Sequence, residues 1–218
     1  MIISYFGKQF VKISQGDLTL AFNPLSHDSD HKDKISRFGA DVALITANHP
    51  DFNGVDTVTH GSTIPFVISG PGDYETREIF IKGLMTETEI PARSAGGDKK
   101  KYINTIYFLT VDEIKICFLG SLFKDIGSEA REAIAGADIL FVPIGGEGVL
   151  SPKEAYKLSV SLEPKIIIPM DYGADRMKDA LKIFLKEGGA EKTEPLEKLT
   201  LKRKDLENKE GDIIVLKS

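Results

Sequence analysis

Residues 138–173 read DILFVPIGGEGVLSPKEAYKLSVSLEPKIIIPMDYG, and this stretch decides the fold. The apolar run at 138–146 is strand-sized and ends at the glycine pair Gly145–Gly146. SPKEAYKLSVSLE then opens with Ser151 as a predicted N-cap and Pro152 at the first helical position, a clear helix start. KIIIPMDYG (165–173) returns as a second buried strand that ends in polar residues. Strand, helix and strand in succession define an α/β sheet with helices packed against it.

Working outward, ADRMKDALKIFLKEGG (174–189) has amphipathic spacing and stops at a glycine pair, which predicts a helix. SEAREAIAGA (128–137) has helical spacing too. NTIYFLTVDEIKICFLG (104–120) predicts two strands around a turn at Asp112–Glu113. Towards the N-terminus the chain is dense in short strands: IISYFG, QFVKIS and DLTLAFN, with Gly7 and QGD (15–17) as turns, then PFVIS (65–69) and REIFIKGL (77–84). Residues 23–37 form a polar excursion, and 86–101 read as an exposed loop ending in Lys99, Lys100 and Lys101. LEKLTLKRKDL and GDIIVLKS predict closing strands. Strands first and strand–helix–strand units later imply two sheets packed face to face with helices outside, and a single domain over 1–218.

Bulk properties narrow the class. The chain has 218 residues, 41% hydrophobic and 28% charged, as soluble globular domains do. With 28 basic and 33 acidic residues the formal charge is −5, which argues against nucleic acid and anionic membrane as partners. A small anionic molecule and an oligomeric state stay open as expectations. No apolar stretch is bilayer-length, and MIISYFGKQF lacks the features of a signal peptide. The single Cys117 lies in an apolar run, reads as a packing residue and suits a reducing compartment, so the expectation is cytoplasmic.

LITANHPDFNG (44–54) is the stretch in which chemistry is expected, because short polar residues crowd the end of a buried strand. His49 and Asp51 are candidate metal ligands in this stretch, and the family resemblance given below adds Asp171 as a third, for at most one ion. Asp51 and Asp171 are the candidate catalytic carboxylates. Asn48, Asn53, Ser121, Tyr172, His27 and His31 are candidate rim residues. A His, Asp, Asp set could hold one metal with open positions, either manganese or weakly bound zinc. The plain alternative is that His49 and Asp51 keep the loop's shape by hydrogen bonding, with Asp51 and Asn53-Gly54 organising a turn. HDSDH (27–31) is a second polar cluster, rich in turn formers. His60 in VTHGS lacks the companions of a metal motif and reads as a decoy.

The order of short motifs resembles the metallo-β-lactamase fold hydrolases, most closely their ascorbate-6-phosphate-lactonase-like branch. GPGDYE (70–75), NTIYFL (104–109), FLGSL (118–122), DILFVPIGGEGVLSPKEA (138–155) and PKIIIPMDYG (164–173) resemble that branch's G-P-G-E-Y-E, N-T-I-Y, H-L-G-D-L, D-(I/V)-L-(aliphatic)-P-V-G-G and P-K-(I/V)-(I/V)-I-P-M-H-Y. The resemblance implies a four-layer αββα sandwich with the site at one edge, between the sheets. It also implies a T-H-x-H-x-D-H motif after the strand at 42–46, where this chain has TANHPDF. Ala47 and Phe52 stand where histidines belong, Ser121 where the bridging aspartate belongs, and Asp171 where the final histidine belongs. The resemblance therefore implies a diverged member that has lost the standard dinuclear zinc site, with little or no zinc hydrolase activity. The alternative is a mononuclear hydrolase of phosphoesters or phosphorylated sugar lactones using His49, Asp51 and Asp171.

Overall fold

The computed structural model describes residues 1–31, 38–90, 100–173 and 176–218. Thirteen strands form two sheets among the described residues. The first sheet contains β1 (Ile2–Tyr5), β2 (Val11–Gln15), β3 (Leu18–Phe22), β4 (Val42–Leu44), β5 (Phe66–Ile68) and, at its other edge, β12 (Leu199–Thr200). The second contains β6 (Gly72–Thr76), β7 (Ile79–Ile90), β8 (Lys100–Val111), β9 (Ile114–Phe118), β10 (Ile139–Pro143), β11 (Ile166–Met170) and β13 (Asp212–Ile213).

Hairpins build the antiparallel parts, and crossovers build the parallel ones. The two-residue turns Arg77–Glu78 and Asp112–Glu113 hold both central residues at positive φ, the geometry whose twist matches that of the flanking strands. β3, β4 and β5 run parallel, as do β9, β10, β11 and β13. α2 (Pro152–Leu162) makes the crossover from β10 to β11, and Ser151 and Glu154 cap it reciprocally. The C-terminal ends of these parallel strands are where the polar residues after β3, β4, β9 and β11 collect.

Period-two alternation assigns each strand's faces. Ile3, Tyr5, Val11, Ile13, Leu20, Phe22 and Leu44 of the first sheet meet Tyr107, Leu109, Ile116, Phe118, Phe141 and Ile168 of the second in one buried core. The outer face of the second sheet, with Cys117, Leu140, Val142 and Ile167, packs against Ala155, Leu158 and Leu162 of α2 and Phe184 of α3 (Ala180–Glu187). α1 is the short helix Ser128–Ala133. Over the outer face of the first sheet lie Phe10, Ala21, Leu25, Ala43 and Val58, with a 3-10 turn at Val55–Val58 in place of an α-helix among the described residues. This is the α/β sandwich that the sequence predicts. No helix among the described residues is long and apolar enough to cross a membrane.

Three expectations change. The segment expected to loop from residue 86 stays in β7 until Ile90, because Thr86, Thr88 and Glu89 continue the ladder opposite Asn104, Tyr102 and Lys101. Lys100 and Lys101 accordingly open β8, while Lys99 lies outside the described residues. The helix expected from residue 174 begins only at Ala180. Residues 174–175 are not among those described, and Arg176 and Met177 are committed elsewhere, to Asp171 and to the Gly145 carbonyl. Last, the helix expected over 128–137 ends at Ala133, with Gly136 at positive φ just beyond it.

Candidate functional site

At the shared edge of the two sheets the chain repeatedly leaves a strand through the left-handed region. Lys8, Asn23, Gly120 and Asp171 all have φ between 46° and 61°. For non-glycine residues this conformation is uncommon, and such residues cluster at functional or tightly constrained sites. Gly120 has no alternative: a Cβ there would sit 2.4 Å from Asn104 Oδ1 and 2.8 Å from Thr46 Cβ.

Asp171 is the centre of what these turns assemble. It is fully buried, and its backbone N–H is held by the Lys8 carbonyl and, at 3.1 Å, by the Tyr5 hydroxyl oxygen. Arg176 forks its carboxylate, Nε to Oδ1 at 2.8 Å and Nη2 to Oδ2 at 2.9 Å. Gln9 Nε2 donates to Oδ2 at 2.8 Å, and Lys8 Nζ lies 3.9 Å from Oδ1. Burial pushes this carboxyl's pKa up, but the Arg176 guanidinium, the Lys8 ammonium and the hydrogen bonds outweigh it and hold it below the usual carboxylate range.

A buried amide network extends from this pair across both sheets. Gln9 Nε2 also donates to Ser121 Oγ at 2.9 Å, and its Oε1 accepts from Asn23 Nδ2 at 3.0 Å. Asn23 in turn donates to Thr46 Oγ1 and accepts from the Thr46 N–H, each at 2.8 Å. Asn104 Oδ1 accepts from the Ser121 N–H at 2.8 Å, while its Nδ2 donates to Thr86 Oγ1 and the Leu119 carbonyl. Gln9, Asn23 and Asn104 are fully buried, and Thr46 and Ser121 nearly so. Each of these polar side chains has a partner, as burial requires.

The loop after β4 is organised separately. His49 Nδ1 accepts the Asp51 N–H at 3.2 Å, and Ser29 Oγ donates to Asp51 Oδ1 at 2.6 Å. The His49 ring stands edge-on to Tyr102, with centroids 5.7 Å apart, and lies near Phe52, which is buried. Asn53 Nδ2 donates to Asn48 Oδ1 at 2.8 Å. Of the other candidates, His27 lies 3.4 Å from Asp56, and the His31 N–H donates to Ser29 Oγ. Tyr172 donates its hydroxyl to the Leu216 carbonyl, and burial pushes its pKa up to about 12.

The structure thus brings Ser121 to Asp171 through Gln9, and His49 to Asp51. It does not gather His49, Asp51 and Asp171 into a donor set: no group of three or more His, Cys, Asp or Glu able to hold a metal ion occurs among the described residues. Both Asp171 oxygens are already engaged, and neither alanine at 47 nor phenylalanine at 52 supplies a donor. Among the described residues this arrangement offers no ready donor set for a bound metal.

Sequence reading missed Lys8, Gln9, Asn23, Thr46, Asn104 and Arg176. Lys8-Gln9 interrupts an apolar run and Asn23 ends one, so both carried a faint signal. Arg176 carried none, since it looks like any charge on a helix surface.

The sandwich, with a polar site at the edge between its sheets, defines a metallo-β-lactamase-like protein. The chain belongs to the family described as the beta-lactamase superfamily domain, whose profile matches residues 2–171. It is similar to the UPF0173 metal-dependent hydrolase of Lysinibacillus sphaericus (strain C3-41), 26% identical over 204 residues, covering 79% of this chain and 85% of that one. A UPF0173 metal-dependent hydrolase of Thermococcus onnurineus (strain NA1) is 33% identical over 88 residues, 38% of this chain and 39% of that protein. Among solved structures, one described as a Zn-dependent hydrolase of the metallo-β-lactamase superfamily from Thermotoga maritima matches at a TM-score of 0.74. It has 26% identity, with 99% of this chain and 97% of that chain covered.

Proposed function

We propose that this chain is a diverged member of its metal-dependent hydrolase family that has given up the standard dinuclear zinc chemistry and uses the retained fold for binding. The observation that carries this reading is the Arg176 fork on Asp171. A guanidinium matches a carboxylate bidentately and keeps its charge at any physiological pH. With Lys8 beside it, Arg176 places positive charge on the carboxylate that the family resemblance makes a metal-ligand position. A metal at Asp171 would have to displace an ion pair that lies almost wholly out of water, where like charges repel strongly. The buried network from Gln9 to Asn104 fits the same reading, because it fills the junction of the sheets with amide and hydroxyl groups that bond to one another.

The alternative, a single manganese or zinc ion on His49, Asp51 and Asp171, would require Asp171 to release Arg176 and the loop after β4 to turn towards it. One experiment separates the two readings. Untagged protein is soaked in zinc or manganese, desalted and measured for metal by mass spectrometry. The expected result is no stoichiometric retention of either metal. Retention of about one metal per chain, lost in Asp171→Ala, would overturn the proposal and establish the mononuclear site instead.

A further inference from the structure

We propose that the cleft beside the β4 loop binds a small, uncharged molecule bearing an amide-like edge, such as a cyclic amide or an aromatic carboxamide. The cleft has a volume of about 540 Å³ and lies between the loop leaving β4, the turn at 69–71 and the outer part of β8. It borders the Asp171 network at Thr46, but Asp171, Arg176 and Lys8 do not line it.

Three observations set the ligand class. First, no lining residue among those described carries a charge, although 28% of the chain does. A carboxylate or phosphate entering here would lose water and meet no counter-charge among the described lining residues, with Lys100 over the Tyr102 ring as a cation beside them, whereas a neutral ligand escapes the desolvation cost.

Second, beside the hydroxyls of Thr46, Ser69, Tyr102 and Thr105, the side chains of Asn48 and Asn53 offer a matched donor and acceptor. The bond from Asn53 Nδ2 to Asn48 Oδ1 uses one donor and one acceptor. It leaves the Asn48 amide nitrogen and the Asn53 amide oxygen without another partner among the described residues. Interchanging oxygen and nitrogen on both side chains reverses the pair but still leaves one donor and one acceptor. An amide edge, which offers an acceptor beside a donor, complements that pair in either orientation. The loop is also preorganised: the Phe52 and Asn53 N–H groups both bond the His49 carbonyl.

Third, the remaining walls suit a flat, largely apolar body. Val55, Val67, Ile103 and the Tyr102 ring line the cleft. The edge-on His49 ring buttresses Tyr102, which gives the buried histidine a positioning role with no metal. A few convergent polar groups set in an apolar concavity are the ordinary make-up of a small-molecule site.

The test is a titration followed by two-dimensional amide NMR, using nicotinamide as the neutral probe and nicotinate as its charged counterpart, each with and without EDTA. The expected result is saturable shifts confined to amides of residues 45–55, 67–71 and 102–105 with nicotinamide, unchanged by EDTA. Nicotinate should bind at least about tenfold more weakly. Asn48→Ala should weaken nicotinamide by roughly tenfold, the loss of one amide pair. Val67→Asp, which places a charge in the wall from an exposed position, should weaken it similarly. Both variants should keep the wild-type spectrum outside the cleft, which separates lost binding from lost folding. Absence of saturable shifts, equal binding of nicotinate, or shifts centred on Arg176 would each overturn the proposal. Because each titration is run with and without EDTA, its outcome is read apart from metal retention.

Discussion

Asp51 and Asp171 look alike in the sequence: each is an aspartate in the polar stretch that follows a buried apolar strand. In the structure they are opposites. Asp171 is fully buried, and two basic side chains and an amide converge on it. Asp51 is partly exposed and holds a turn through Ser29 and the His49 ring. A buried carboxylate is a commitment of the whole domain, because its counter-charges come from distant segments, Lys8 and Arg176. A turn carboxylate is a local arrangement. The lesson is that a polar residue at a strand end says little until its counter-charge is known.

Stability measurements in urea can break this comparison. The largest effect is expected for Asp171→Ala, which leaves Arg176 and Lys8 buried without their shared anion and should cost about 3–5 kcal/mol. Were the loss no greater than that of Asp51→Ala, Asp171 would not be the centre of the network. Next comes Gln9→Ala, which strands the amide and hydroxyl groups it links. Roughly 1–3 kcal/mol is expected, with Asn23 and Ser121 each losing a partner. Asp51→Ala and Ser29→Ala should each cost about 1 kcal/mol, and together little more, since both remove the same hydrogen bond. Ser151→Ala, at the α2 cap and bonded to neither aspartate, should cost about 1 kcal/mol and marks the scale of an ordinary local loss.

Acid sharpens the same contrast. Burial works to raise the pKa of Asp138 as it does that of Asp171. In both cases the lowering influences prevail: the Lys115 N–H, then Lys165 and Arg203, for Asp138, and Arg176 and Lys8 with their hydrogen bonds for Asp171. With folded values below the unfolded one, their stabilisation is complete above the unfolded carboxyl pKa of about 3.9 and is lost as pH falls through the depressed folded values. Melting temperature should therefore drop steeply below about pH 4 in the wild type. It should drop less steeply in Asp171→Asn, which has already lost the titrating group. Equal slopes in the two proteins would assign the acid sensitivity elsewhere.

Legibility followed the range of the interactions involved. The α2 start at Ser151-Pro152 and the strand pair flanking it could be read directly, because capping and apolar runs are local properties. The hairpin turn at Asp112–Glu113 was legible for the same reason. The end of β7 was not: Thr86 to Glu89 look like loop residues in isolation and become strand because Asn104 to Lys101 lie opposite them. The start of α3 was misjudged because Arg176, four residues before the helix, is drawn to Asp171.

The sequence by itself determined the α/β class, most of the order of strands and helices, the family resemblance, and the presence of alanine at 47 and phenylalanine at 52 in the loop after β4. Those rest on residue identity and short-range periodicity, which a chain carries whether folded or not. Only the tertiary structure decided which charges meet. It joined Lys8, Gln9 and Arg176 to Asp171 across separations of more than 160 residues on one side and 5 on the other, and left His49 and Asp51 to each other. The physical reason is that a buried carboxylate is stabilised by whatever donors the packing of two sheets delivers to it, and that packing is set by the whole core, not by the residues beside it in the chain.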